Sequence, residues 1–403
     1  ANSTWAPLDE PDAPTLAIHI LDELERHSNH WENNNTASKA VQSCAHVIQD
    51  TQNASRLVFL VIGFSGHREE SCIKGDFFDL LTTGLNMTRG NIAQALIVLV
   101  NKLQENSVPF PDLLLPTLRR FAGDEHPAIR ALILNHLPYL QSKNPELGWD
   151  LFHFAMRNAV GLWQIAEPCL YYAHYKHFGK IAPLLLRIRS EGNDKDMETW
   201  ARISAVAALA KHIDFSALLE DLKTLDATEA WKGAASVWTH HENLKKHREQ
   251  CLIGIETGLN SNWSHAKAIS HQMVQLFCEN LSVISIPIEL IRLLFAIYES
   301  DTENKRPSFL GLGSWLNATA HLDPERALTV TEIYLVYVSR TKSYLYDHEN
   351  NLTQLLTRLF AEAEEREESD HGAMLKRVVL LQDMLLSLGV NSINDWLKAA
   401  ERP

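Results

Sequence analysis

Apolar residues recur at three- and four-residue spacing along almost the whole of this chain, and only short polar breaks interrupt them. That spacing puts them on one face of a helix at 3.6 residues per turn, whereas strands would alternate every second residue. Ile92, Ala95, Leu96, Leu99 and Leu103 form one such face, and Leu114, Leu115, Leu118 and Phe121 form the next. The breaks at 106–109, 123–127 and 143–145 carry Asn, Asp, Gly and Pro. Helices of about 12–18 residues joined by about 2–6 residues are antiparallel hairpins. Only 17 Gly and 15 Pro punctuate 403 residues, too few turns for a large β protein. A chain this long exceeds the ~250–300 residues at which a single core stops growing, so it splits into domains or forms a repeat array.

The hairpins repeat. Phe77-Phe78-Asp79-Leu80-Leu81 is followed 34 residues later by Phe110-Pro111-Asp112-Leu113-Leu114, counted from Leu80 to Leu114. Ala93, Arg130, Glu167 and Arg202 recur at spacings of 37, 37 and 35, and Trp200, Trp231 and Trp263 at 31 and 32. Two helices per period of 30–40 residues mark an α-solenoid, in which each hairpin buries a face against each neighbour. The expected fold is all-α, with about ten antiparallel pairs near 14–51, 55–88, 90–122, 126–158, 161–191, 196–225, 228–259, 263–299, 307–340 and 347–390. A short last helix is expected near 392–401. The organisation reads as an N-terminal extension over 1–13, a repeat array over 14–299, a polar break at 300–307, and C-terminal repeats with a cap over 308–403.

The segments Asp124-Glu-His-Pro-Ala-Ile-Arg130 and Asp196-Met-Glu-Thr-Trp-Ala-Arg202 resemble HEAT repeats, each with Asp before the helix and Arg six residues on. Asp226 and Lys232 keep that spacing, and Asp323 opens a similar unit. The resemblance covers about 90–260 well and the ends less so; it implies a ladder in which Asp124, Arg130, Asp196 and Arg202 tie adjacent repeats. On the residues alone, Asp at a helix start caps free amides and a downstream Arg pairs with it. The overall texture also resembles the C-terminal helical arrays of bacterial multidomain nucleotide-hydrolysing proteins, including those of anti-phage defence.

Fifty acidic against 37 basic residues give a net charge of −13, which repels phosphate backbones and argues against general nucleic-acid binding. Cys44, Cys72, Cys169, Cys251 and Cys278 lack metal-site spacing and read as free thiols of a reducing compartment. Asn-x-Ser/Thr sequons, among them those at Asn2, Asn53, Asn86, Asn262, Asn317 and Asn351, fall partly inside expected helices and follow no signal peptide. The longest apolar runs, 57–64 and 95–100, fall short of the ~20 residues a membrane helix needs. A cytoplasmic location is expected. The start at Ala1-Asn-Ser reads as a processed chain or a piece of a longer one.

Candidate chemistry is sparse. His174 and His177 lie three apart among Tyr171, Tyr172 and Tyr175, which suits either half a metal site or a half-exposed face. His240, His241 and His247 with Glu242 point in different directions, and His67 with Glu69, Glu70 and Cys72 reads as a polar loop. Glu362, Glu364, Glu365, Glu367, Glu368 and Asp370 form an acidic run, either solvated or a contact for a basic partner. No phosphate-binding loop occurs, Gly311-Leu-Gly313 being incomplete, and no nucleophile elbow or zinc-protease motif is found. No cofactor, metal or catalysis is therefore expected.

Arg119 and Arg120, then Arg157, then Arg187 and Arg189 lie near the ends of successive second helices. Equivalent positions stack in a solenoid, so they predict a basic stripe that receives an acidic segment or phosphate group, although cations also favour helix C-termini without any ligand. The function expected is a non-catalytic protein-binding scaffold or sensing arm. The rival is a nucleic-acid-binding array or a HEAT-like DNA-repair enzyme, which requires a basic concave face.

Overall fold

The computed structural model describes residues 12–31, 34–64, 67, 79–277, 284–301, 309, 311–345 and 347–390. Among these residues are 22 α-helices, two short 3-10 turns and no strand, so the chain is all-α. None of the helices is long and apolar enough to cross a membrane. The chain divides into two compact units at Gly192 and Asn193. Most of the polar break expected at 300–307, the sequons' first site at Asn2, Cys72, Cys278 and the expected helix at 392–401 lie outside the described residues.

The first unit holds α1 (Ala13–Arg26), α2 (Ser28–Trp31), α3 (Asn35–Ala45), α4 (Thr51–Phe64), α5 (Leu80–Asn86), α6 (Thr88–Glu105), α7 (Leu114–Ala122), α8 (Pro127–Lys143), α9 (Pro145–Ala155), α10 (Trp163–Ala173) and α11 (Phe178–Glu191). Helices α3, α6, α8 and α10 pack side by side in chain order, and α4, α7 and α9 form a second row against them. Helices α6 and α8 are buried on nearly every side, from Ile92 to Val100 and from Ala128 to Leu134, because each has neighbours in both rows. Asparagine or aspartate starts several helices: Asn34 accepts from Thr36 and Ala37 amides, and Asn144 from Leu147.

The second unit holds α12 (Asp194–Leu209), α13 (Phe215–Thr224), α14 (Thr228–Trp238), α15 (His241–Lys246), α16 (Arg248–Leu259), α17 (Trp263–Val274), α18 (Ile288–Ser300), α19 (Leu312–Ala320), α20 (Pro324–Thr341), α21 (Asn351–Asp370) and α22 (Ala373–Ser387). Helices α12, α14 and α17 form one row, α13, α16, α18, α20 and α22 another, and α19 and α21 pack together across α20 and α22. The α12–α14 approach is close because Gly233 has no side chain: a Cβ there would stand 2.1 Å from the Glu198 carbonyl oxygen. Trp231 and Trp238, both fully buried, lie instead against Gly258 and Gly254 of α16.

Candidate functional site

Each of the four residues of the expected ladder has its own set of partners within the helical packing. Asp124 pairs with Arg89 of α6, and its Oδ1 accepts from the His126 amide at 2.9 Å. Arg130, 4% exposed, donates from Nη1 to the Ala155 carbonyl at 2.9 Å and to the Asn158 carbonyl. Asp124 lies in the turn before α8, whereas Arg130 stands in the first turn of that helix, on the side where α9 ends, so its partners are carbonyls. Asp196 lies inside α12 at the third helical position, where it closes a capping box with Asn193. Burial holds the Asp196 carboxyl above the usual carboxylate range. Arg202 bonds Glu198 on its own helix and Ser236 Oγ, 3.0 Å away on α14. It thereby ties two neighbouring helices.

The five stripe arginines lie at or near the C-terminal ends of α7, α9 and α11 in the first unit. Arg119 and Arg120 close α7, and Arg119 Nε donates to Asp150 of α9 at 2.7 Å. Gly123, next in line, sets this end of α7 against the Phe154 ring of α9. The Arg157 guanidinium lies over that same ring, Cζ 4.1 Å from the centroid. From α11, Arg187 donates to the Met156 and Arg157 carbonyls at 2.9 and 3.4 Å and to Glu191 at 2.8 Å. Arg120, Arg157 and Arg189 are exposed.

The arrangement sorts what the sequence treats as equals. Arg119 and Arg187 are held by carboxylates, one from the adjacent helix and one a turn further along. Arg157 differs: among the described residues its guanidinium meets only the Phe154 ring, so its donors face outward. A guanidinium held over an aromatic ring is restrained in position and presents a planar fork that fits a carboxylate. Phe154 escaped the sequence reading, although its position three residues before Arg157 puts both on one helix-end face.

The remaining candidates do not converge. Tyr171, Tyr172 and Tyr175 are exposed, and His174 turns its Nδ1 to the Tyr171 carbonyl. His241 lies against Glu242, and His247 sits between α15 and α16, where burial and the Lys246 charge push its pKa down. Among the described residues no three His, Cys, Asp or Glu side chains are placed to hold a metal ion. Glu69, Glu70 and Cys72 lie outside those residues. In the acidic run, Glu362 pairs with Arg366. Asp370 turns back to accept from the Gly372, Ala373 and Met374 amides at 2.9, 3.2 and 3.0 Å. Those amides open α22 and keep the Asp370 carboxyl below its ordinary range.

A polar seam crosses the first row, and no spacing in the sequence points to it. Gln42 of α3 donates to Gln94 of α6 at 2.8 Å, and Gln94 meets His136 of α8 at 3.0 Å. No protein-family model, no curated protein and no solved structure matches this chain.

Proposed function

We propose that this chain is a non-catalytic protein-binding scaffold or sensing arm, a stack of HEAT-like helix pairs whose first unit receives an acidic protein segment on the arginine edge of α7, α9 and α11. The observation that carries the reading is Arg157, exposed and lying over the Phe154 ring, its guanidinium donors without a partner among the described residues. Arg120 of α7 and Arg189 of α11 are exposed near the ends of their helices, while Asp150 and Glu191 fix the orientation of Arg119 and Arg187. On a molecule of net charge −13, a local cationic edge selects an acidic peptide by charge and geometry together.

The test is a double reversal, Arg120→Glu with Arg157→Glu, read by anisotropy of a fluorescein-labelled Asp/Glu-rich peptide. Arg187 stays, because its bonds to the Met156 and Arg157 carbonyls help hold the end of α9. Binding should weaken by about tenfold, or about 1.4 kcal/mol, with an unchanged melting curve. Unchanged binding in the folded variant rejects the edge as the site. Tighter binding of duplex DNA or RNA, with a steep salt dependence, would favour the nucleic-acid reading instead.

A further inference from the structure

A second surface, in the second unit, carries an independent inference. Helices α18 and α20 flank a groove of about 330 Å³. Phe295 and Tyr337, 2% and 3% exposed, make its floor, and Val336 stands on its rim at 38%. Arg292 lies toward the start of α18, and among the described residues it has no hydrogen-bond or ion-pair partner. Arg340 lies toward the end of α20 and reaches Glu299 only loosely, at 3.4 and 3.5 Å.

The groove's other carboxylate is already spent. Glu332 accepts from Nε and Nη2 of Arg377 on α22, at 2.9 and 2.8 Å. The groove thus offers one open guanidinium, one weakly held guanidinium, and an apolar strip between them. Arg292 precedes Glu299, the partner of Arg340, by two helical turns, about 10 Å along the axis.

We propose that this groove binds an amphipathic helical segment of a protein partner, with apolar side chains on the floor and acidic residues two turns apart on Arg292 and Arg340. Glu299 is the gate on one end: an incoming carboxylate displaces it from Arg340. Helix-in-groove recognition uses this spacing of anchors, and Arg forks suit carboxylates.

The experiment uses the full chain and a fluorescein-labelled synthetic peptide of about four helical turns, leucine-faced, with two glutamates two turns apart. A control peptide carries lysines at those two positions. The glutamate peptide should bind the native chain and the lysine peptide should not. Arg292→Gln and Arg340→Gln should each weaken binding by about tenfold, and Glu299→Gln should strengthen it several-fold by freeing Arg340. All three positions are exposed, and thermal melts confirm folding of each variant. A native chain that prefers neither peptide overturns the proposal, as does weaker binding by Glu299→Gln. The Arg120→Glu, Arg157→Glu variant should bind this peptide normally; a loss there would move the site to the first unit and overturn the assignment.

Discussion

Nη1 of Arg130 lies 2.9 Å from the carbonyl oxygen of Ala155, so a buried guanidinium closes the C-terminal end of α9 from the neighbouring α8. Among the described residues it has no carboxylate partner, and burial pulls its pKa down from the usual arginine value. Hydrogen bonds to a charged group are strong, and here they satisfy carbonyls that a helix end leaves open. Arg130→Met keeps the stem and removes the donors. It should destabilise the first unit by about 2 kcal/mol. A thermal or urea melt unchanged by the substitution would mean that the cost of burying the charge cancels its bonds.

Two glycines should respond in opposite directions to alanine. A Cβ on Gly233 would stand 2.1 Å from the Glu198 carbonyl, a backbone atom that cannot swing aside, so α14 must retreat from α12. Gly233→Ala should cost about 3 kcal/mol, toward the upper end for overpacked cores. Gly179, in the first turn of α11, has open space where its Cβ would be. Gly179→Ala should be neutral to stabilising, by up to about 1 kcal/mol. Equal melting temperatures for the two variants would contradict the close α12–α14 contact.

The all-helical fold was legible because the apolar period is a local property: Ile92 to Leu103 encode a helix without reference to any partner. Helix ends were legible where Asn144 or Asp323 caps them, since a capping side chain acts within three residues. Partner choice was not legible. Asp124 and Arg130 have family-like spacing, yet Arg89 on α6 takes Asp124 and the end of α9 takes Arg130, choices set by how helices dock. The division at Gly192 is likewise a matter of which helices touch, and no composition shift announces it. The five arginines were legible as a recurring position, but only the Phe154 ring and the Asp150 carboxylate distinguish a presented arginine from a tethered one.

Thiol chemistry offers a direct probe of packing. Cys44, Cys169 and Cys251 are free and almost wholly buried. Burial pushes the Cys44 thiol up to about 11 and Cys251 up to about 12, and raises Cys169 as well. The thiolate is the reactive form, so all three should resist a disulfide reagent at neutral pH until the chain unfolds. Peptide mapping after alkylation under native conditions checks this; rapid modification of Cys169 would place it in a site that opens locally.

Acid should weaken this fold as pH falls through the histidine range. His136, wedged beside Gln94, has its pKa lowered mainly by burial. Burial also lowers His265, stacked on Trp231 at 5.6 Å, and His271, where Lys267 adds to the effect. Asp226 opposes the shift at His265 from 3.8 Å, but it is almost fully exposed, so water screens it. A histidine whose folded pKa is depressed binds fewer protons when folded than when unfolded. Stability therefore stays level above about pH 7 and falls as pH drops through ~6.5, the ordinary histidine value. Urea midpoints taken from about pH 7.5 down to about pH 5.5 should decline steadily, and His136→Gln should flatten part of that slope. Glutamine at 136 can still meet Gln94 but cannot take up the proton, so it separates titration from lost contact. Midpoints that rise toward pH 5.5 would show that these histidines gain partners on protonation, the reverse of what their burial dictates.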